Sequence, residues 1–442
     1  MPLDLLGRLT GRGGRGLTAD DLSPSRPGKG LSRRTALLGG SAAGLMLAAG
    51  GARAQSTMVL TRTGWPPQRA KGAEHVVVYR NEREFAGWPH YCGLWKTADG
   101  SIVAGFKRVP SDYGNEASVD HRNVTNAMGE IVVIRSNDGG RTWDQGSITH
   151  VFDMSIKAET DFPGGKAADW SSLPPLDFRS RDTLVMGGGI PALFAPNARA
   201  WMRASTDGGR TWRPHTLLPN WDFPGVSMPG SSQYSLRADG VMLFGIQSWA
   251  PNALGPRPIV YASPDGRQFL YLGSIVDEEP KSPYYPGGSP FAAAPHFYPR
   301  PVVLQDGRVL SALRYQRDAR TLLWTEVHES LDGGRTWHWL SRLNDWGAPA
   351  DLVPMRDGRV VAVYGYRNPA EGIRYRVSED KGRSWGIEMI LRDDGGSWDL
   401  GYPRVIETDP GTLLATYYMN LKNDPIQMNG GVRHIAATIF KP

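Results

Sequence analysis

One octapeptide recurs along the chain and decides its fold. It reads S-N-D-G-G-R-T-W at residues 136–143, S-T-D-G-G-R-T-W at 205–212, S-L-D-G-G-R-T-W at 330–337 and S-E-D-K-G-R-S-W at 378–385. A weaker copy, S-P-D-G-R-Q-F, occupies residues 263–269. Asp followed by Gly supplies a tight turn with positive φ angles, and the Asp carboxylate can accept hydrogen bonds from amides of its own turn. Each copy is therefore expected to close one hairpin of a repeated β unit.

A second repeat, in which two apolar strands flank a D-G-like turn, alternates with the octapeptide. Its turns lie at Asp99, Asp239, Asp306 and Asp357, with looser versions at 181–182 and 409–411. Six such units leave about 65 residues for each, which suits a four-stranded antiparallel blade with its loops.

The repeats predict an all-β fold, a six-bladed β-propeller of four-stranded antiparallel blades over residues 75–442. Blades arranged in a ring protect their strand edges. We expect the H-V-V-V-Y segment at 75–79 to pair with the last strand, at 434–440, and so to close the ring.

The S-x-D-x-G-x-x-W repeat resembles the Asp-box, or BNR repeat, of the sialidase superfamily. The resemblance covers residues 70–442 and implies a six-bladed β-propeller. It implies no activity by itself, because Asp-boxes are structural turns that occur in propellers of varied function.

The first 54 residues have the pattern of an export signal. S-R-R-T-A-L-L at 32–38 opens an apolar run that ends in A-R-A at 52–54. A basic start, a short apolar core and an A-x-A end are typical of a cleaved secretory signal, and the paired arginines resemble a bacterial twin-arginine signal. We therefore expect an export signal over 1–54, a linker over 55–74, and a periplasmic or secreted mature protein with no membrane association.

Composition narrows the classes of partner. The 442 residues carry a net charge of +6, of which residues 1–54 supply +5. The remaining Lys and Arg residues are dispersed, which argues against nucleic acid. A single cysteine, Cys92, excludes internal disulfides, and the nine histidines lack metal-binding spacing. We expect a glycan as the partner, with no metal, no cofactor and no obligate protein partner.

The pocket of a propeller usually forms from loops and strand starts at one end of its axis. We expect the innermost strand of each unit to be the one before its D-G turn. The starts of these strands are rich in aromatic, Arg and Asp residues, which stack on sugar rings and bind carboxylates. These strand starts are residues 88–91, Asp169 and Trp170, 231–234, 298–300, Asp351, and 402–404.

The resemblance to exo-sialidases implies particular catalytic residues. These enzymes use an arginine triad for the substrate carboxylate, a Tyr–Glu nucleophile pair and an Asp acid/base. Tyr402, in L-G-Y-P-R, matches the position of the nucleophile, and Arg314, in D-G-R-V-L-S-A-L-R, matches the second arginine. Arg374, in G-I-R-Y-R, is the first choice for the third arginine, and Arg367 is the alternative.

The resemblance leaves two candidates for the acid/base, and two other catalytic positions lack the residue that the family has there. Asp112 and Asp120 both follow the first inner strand, and either could be the acid/base. Gly87 stands where the first arginine of the triad would be, and no Glu lies near Tyr298, where the partner of the nucleophile is expected.

Further substrate contacts are expected from the axial residues. Arg300 and Arg404 could supply replacement cations, and Asp351, Trp88 and Tyr298 are the other candidate substrate-binding residues. The proline- and aromatic-rich segment 279–301 is either a lid over the pocket or a rigid surface loop.

The leading hypothesis is an exported exo-glycoside hydrolase that acts on a terminal acidic or deoxy sugar of a glycan. A polysaccharide lyase on uronic-acid chains is an alternative, because it needs only an Arg to neutralise the carboxylate and a Tyr or His base. A non-catalytic glycan-binding propeller is the third hypothesis.

Overall fold

The computed structural model describes residues 65–126, 129–154, 172–190, 199–218, 230–248, 257–276, 296–316 and 323–442. They form six β-sheets, which are the blades of a β-propeller. The predicted fold class is therefore confirmed. The predicted export signal and most of the segment 279–301 lie outside the described residues. No helix in the described part of the chain is long and apolar enough to cross a membrane.

Two N-terminal strands complete blades that the C-terminal part of the chain begins. They are β1 (Gln68–Arg69) and β2 (Glu74–Tyr79). β1 lies inside the predicted linker and pairs in parallel with Met389–Ile390 of the fifth blade. β2 pairs antiparallel with the last strand of the chain, with His75 opposite Thr438. The predicted closure of the ring is thus confirmed.

The first two blades follow in chain order. The first contains β3 (Glu84–Gly87), β4 (Leu94–Lys96), β5 (Ile102–Pro110), β6 (Glu130–Ser136) and β7 (Asp144–Asp153). The described strands of the second are β8 (Leu184–Ile190), β9 (Arg199–Ser205) and β10 (Thr216–Leu217).

The next two blades each have four antiparallel strands. The third contains β11 (Gly230–Leu236), β12 (Met242–Ser248), β13 (Arg257–Ser263) and β14 (Leu270–Ser274). The fourth contains β15 (His296–Val303), β16 (Val309–Gln316), β17 (Leu323–Ser330) and β18 (His338–Arg342).

The last two blades incorporate β1 and β2. The fifth contains β19 (Ala350–Pro354), β20 (Val360–Tyr366), β21 (Gly372–Ser378) and β22 (Met389–Arg392), with β1 at its edge. The sixth contains β23 (Gly401–Asp409), β24 (Thr412–Met419) and β25 (His434–Phe440), followed by β2.

Three short helices lie between strands of the first blade: α1 (Pro89–Cys92), α2 (Glu116–Val119) and α3 (His121–Asn126). A 3₁₀ turn spans Met428–Gly430, between β24 and β25. α1 contacts strands of the first, second, third and sixth blades, so it lies close to the axis.

The octapeptides form the turns that their sequence predicts. In the first copy, Asp138 accepts hydrogen bonds from Thr142 N at 2.9 Å and Thr142 Oγ1 at 2.6 Å, and Ser136 Oγ accepts from Gly140 N at 2.9 Å. The copies at Asp207, Asp332 and Asp380 repeat the same bonds. Hydrogen bonds from Thr142 hold the pKa of Asp138 at about 2. These carboxylates therefore serve as structural turn acceptors.

Apolar residues fill the space between neighbouring blades. Phe106 of the first blade, for example, belongs to one buried cluster with Tyr418 and Ile435 of the sixth. Phe152 of the first blade stacks on Trp201 of the second with ring centroids 3.9 Å apart. Because these apolar side chains pack between the blades, the residues at the starts of the inner strands line the axis.

Candidate active site

Three aromatic residues that each precede a proline have a strained backbone: one lies directly before α1, and the other two lie near the starts of β15 and β23. Trp88, Tyr298 and Tyr402 have φ angles of 55°, 62° and 49°. Left-handed backbone is uncommon for bulky residues, and a following proline restricts the residue further. Such strain costs about 1–3 kcal/mol per residue and clusters at functional sites. The strained residues therefore point to this end of the axis as the site.

The Tyr402 hydroxyl lies among cations and a second phenol. Arg314 Nη1 donates to it at 3.2 Å, and the hydroxyl of Tyr298 lies 3.4 Å away. The guanidinium carbon of Arg367 lies 5.0 Å from the centre of the Tyr402 ring. Burial acts to raise the pKa of Tyr402, but Arg314 and Arg367, with help from His121, outweigh it and lower that pKa to about 7. A large fraction of Tyr402 is therefore phenolate at neutral pH.

We call Tyr402, Tyr298, Arg314, Arg367 and His121 the Tyr402 site. Its two arginines are almost fully buried, with 6% of Arg314 and 8% of Arg367 exposed. Neither forms an ion pair with a carboxylate of the described residues, and the Nε atom of each has no hydrogen-bond partner there. Buried guanidinium groups are normally paired. The Tyr402 site can therefore bind an anion through these two groups.

His121 and Asp399 form a pair at the edge of the Tyr402 site. His121 Nδ1 lies 2.7 Å from Asp399 Oδ1, which also accepts from the Tyr418 hydroxyl at 2.5 Å. Burial acts to lower the pKa of His121, yet the Asp399 carboxylate raises it above its ordinary value. The ring lies against Trp88, with centroids 5.8 Å apart. The Asp399 carboxylate thus favours the protonated form of the imidazole.

Three of the predicted substrate-binding residues lie in a buried ion network instead. Asp351 Oδ1 lies 2.7 Å from Arg300 Nη1 and 3.2 Å from Arg404 Nη1, and Asp351 Oδ2 accepts from Val405 N at 2.7 Å. Arg300 also donates to the carbonyl of His90 at 2.8 Å. Both guanidinium groups share the single carboxylate of Asp351, so this network joins the first, fourth, fifth and sixth blades.

The two candidates for the third arginine have different surroundings in the structure. Arg374 pairs with Glu388 at 2.6 Å, and its guanidinium lies 3.2 Å from the centre of the Tyr366 ring. Arg367 contacts the Tyr402 ring, so the alternative choice, and not Arg374, belongs to the site. Both arginines lie at neighbouring strand ends of the fifth blade, which is why sequence position alone does not separate them.

Neither predicted acid/base carboxylate contacts Tyr402 in the described structure. Asp112 is exposed and accepts from Gly114 N at 2.8 Å. Asp120 accepts from Arg122 N at 3.0 Å and ends α2. The next residue, His121, is the one that enters the site. Other predicted axial residues, Asp169 and Trp170, lie outside the described part of the chain.

Sequence reasoning missed His121 and Asp399. Two signals could have found them. An aromatic residue is followed by proline at Trp88, Tyr298 and Tyr402, which belong to one buried cluster near the axis. Asp399 then lies three residues before Tyr402, and His121 follows the candidate Asp120 directly. The pairing of His121 with Asp399 joins residues 278 positions apart and needs the fold.

The fold and the site together define a six-bladed β-propeller with two buried arginines beside Tyr402 at one end of its axis. The model of the BNR repeat-like domain family matches residues 189–414. That match spans half of the chain, so the protein belongs to the BNR repeat-like family. No curated protein matches the sequence.

Solved structures with the same fold include proteins of several activities. A protein of unknown function from Dyadobacter fermentans is 23% identical with a TM-score of 0.63, over 84% of this chain and 99% of that one. Trypanosoma rangeli sialidase in complex with sialic acid is 14% identical with a TM-score of 0.51, over 84% and 59%. The Fusarium graminearum α-L-arabinofuranosidase Arb93A, in complex with an iminosugar inhibitor, is 13% identical with a TM-score of 0.50, over 83% and 97%. These likenesses confirm the β-propeller fold.

Proposed function

We propose that this protein is an exo-glycoside hydrolase that removes a terminal acidic sugar from a glycan. The observation that carries the proposal is the pair of buried arginines, Arg314 and Arg367, beside a phenolate and without a carboxylate partner in the described residues. Two such cations suit the carboxylate of a sugar. The aromatic rings around the two arginines can stack on the face of a sugar ring.

Tyr402 would be the nucleophile. A tyrosine nucleophile is the known solution where a carboxylate is attached to the reacting anomeric carbon, as in sialidases. The Tyr402 oxygen would bond to the anomeric carbon while the bond from that carbon to the leaving oxygen breaks. The lowered pKa of Tyr402 supports this role, because the phenolate is the reactive form.

His121 would supply the proton in the same step. Its proton would pass to the leaving oxygen, and the neutral imidazole would then take a proton from the water that releases the sugar from Tyr402. Asp399 would keep the imidazolium oriented and charged, which its 2.7 Å contact with Nδ1 supports. This assignment replaces the carboxylate acid/base that the resemblance implies.

Tyr298 would take the place of the glutamate that pairs with the nucleophile in sialidases. Its hydroxyl lies 3.4 Å from that of Tyr402, where it can donate to the phenolate. Burial raises the pKa of Tyr298, which keeps its phenol protonated and able to donate. Activation of Tyr402 would therefore come from cations and a phenol.

The test uses aryl glycosides of sialic acid, of uronic acids and of neutral sugars. We expect turnover of an acidic glycoside and loss of at least about a thousandfold in kcat for Tyr402→Phe. Tyr417→Phe is the matched control, because Tyr417 is a buried tyrosine of the same blade that bonds to Thr438. Binding of acidic sugars without turnover of any substrate would instead support a glycan-binding propeller.

A lyase on uronic-acid chains is the second candidate. It is favoured by the absence of a carboxylate hydrogen-bonded to Tyr402 in the described part of the chain, since a phenolate can act as a base without one. In that reaction Tyr402 would take the proton next to the sugar carboxylate, and the arginines would neutralise that carboxylate. Products that absorb as unsaturated uronates would identify the lyase.

We also propose that residues 1–54 direct export by a twin-arginine route, with a periplasmic or secreted mature protein. The support is the S-R-R-T-A-L-L segment and the A-R-A end at 52–54. Arg33→Lys with Arg34→Lys should retain the precursor inside the cell, and sequencing the exported wild type should show a new N-terminus near Gln55. Export of the double variant at the wild-type level would contradict the route.

A further inference from the structure

We propose that His296, Glu326 and His328 form a site for one divalent transition-metal ion of the zinc type in the fourth blade. One nitrogen of each imidazole and one carboxylate oxygen all lie within 4.8 Å of one another. Within the described ranges, no other group of three potential ligands meets this geometry. We call these three residues the His–Glu cluster.

The strand register explains why these residues meet. Glu326 and His328 are two positions apart on β17, so they project from the same face of the sheet. His296 on β15 pairs with Tyr315 of β16, and Tyr315 pairs with Trp324 of β17. Paired residues of adjacent strands share a face, so His296 reaches the face that carries Glu326 and His328.

The contacts within the His–Glu cluster leave ligand atoms without partners. Glu326 Oε2 lies 3.0 Å from His296 Nε2 but 3.7 Å from His328 Nε2. Only 7% of the His328 side chain is exposed, and neither of its ring nitrogens has a hydrogen-bond partner in the described structure. A buried polar group without a partner destabilises the folded protein. An ion between the three groups would bind His328 and remove that destabilisation.

The donor set and its surroundings suit zinc. Two imidazoles and one carboxylate with a fourth position open to water is a known zinc arrangement. Trp324 Nε1 donates to Glu326 Oε1 at 2.9 Å, which orients the carboxylate from outside the ligand shell. The ion would tie β15, which carries Tyr298 two residues after His296, to β17. The proposal is independent of the reaction proposed for the Tyr402 site.

The test measures bound metal directly. The full protein is treated with a chelator, loaded with zinc, dialysed, and analysed by elemental mass spectrometry; cobalt(II) loading gives a second readout through its visible spectrum. We expect one ion per chain, and at least about tenfold weaker binding in His328→Gln and Glu326→Gln. The matched control is His150→Gln, because His150 forms an exposed pair with Glu130 that has no second histidine.

The outcomes are decisive in either direction. Stoichiometric zinc in the wild type and the control, with loss in the two ligand variants, supports the site. No retained zinc in the wild type, or equal zinc in the ligand variants, overturns it. If a ligand variant does not fold, the wild-type stoichiometry and a zinc-dependent rise in its melting temperature decide the question.

Discussion

The outer Asp-box turns and the inner Tyr402 site use charged residues in opposite ways. At the turn around Asp332, the carboxylate accepts from Arg335 N, Thr336 N and Thr336 Oγ1, so its hydrogen-bonding capacity is used locally. At the Tyr402 site, Arg314 and Arg367 are buried without a carboxylate partner among the described residues. Completed hydrogen bonding marks the scaffold, and incomplete charge pairing marks the place for a ligand.

Backbone strain follows the same division. The turns use glycine at most of their positive-φ positions, such as Gly139 and Gly333, where it costs little. The residues around the Tyr402 site instead include Trp88, Tyr298 and Tyr402 in that region. The fold therefore tolerates strain where aromatic rings must converge and largely avoids it where a turn only has to close.

Among changes to charged residues, the largest effect should come from removing a site arginine. We expect Arg314→Met and Arg367→Met each to lower kcat/KM for the acidic substrate by about 30-fold or more, because each loses a buried charge pairing worth about 2–5 kcal/mol. Steady-state kinetics on acidic and neutral substrates measures the effect.

The control for this prediction is another arginine of the fifth blade. Arg374→Met breaks the pair with Glu388 and should lower stability while leaving kcat/KM per folded molecule unchanged. If Arg374→Met reduced activity as much as Arg367→Met does, the assignment of the site arginines would be wrong.

An Asp-box change should affect stability and not activity. Asp332→Ala leaves the amides of Arg335 and Thr336 without their acceptor, and we expect a loss of about 1–2 kcal/mol. The shift of the denaturation midpoint gives the loss. The control is Asp409→Ala, which removes only an exposed ion pair with Lys96 and should cost less than about 0.5 kcal/mol. A fall in kcat for Asp332→Ala would contradict the assignment of the Asp-box turns to the scaffold alone.

The smallest effect should come from relieving strain inside a turn. Lys381 has a φ of 61° where the other full copies of the octapeptide have glycine. Lys381→Gly should stabilise by no more than about 1 kcal/mol, because relief of the left-handed backbone is offset by chain entropy and by loss of the ion pair with Asp306. Lys381→Ala loses the ion pair and keeps the strain, so Gly should be the more stable of the two in thermal denaturation.

Local patterns could be predicted from the sequence, and long-range charge pairing could not. The turn at Asp138 is determined by bonds within eight residues, so the repeat predicts it completely. Tyr402 and Arg314 could be chosen because the resemblance to exo-sialidases implies a functional residue in the sequence context of each. Their contact, between residues 88 positions apart, agrees with that choice.

Other parts of the site depend on partners that the sequence does not show. Arg300 looks like a free axial cation until the fold pairs it with Asp351. The strand context of Arg367 and Arg374 is similar, and only the fold shows which of them contacts Tyr402.

The ionisation of Tyr402 is the most direct test of the account. Its pKa is lowered to about 7 in the folded protein, against about 10 in an unfolded chain. Because the folded pKa is the lower one, the phenolate contributes to stability at alkaline pH, and this contribution is lost as the pH falls through 7.

Ultraviolet titration of the folded protein measures tyrosine ionisation. We predict one tyrosine that ionises near pH 7 in the wild type and in Tyr417→Phe, and that is missing from Tyr402→Phe. A wild-type protein in which no tyrosine ionises until close to pH 10 would contradict the central claim that Arg314 and Arg367 hold Tyr402 as a phenolate.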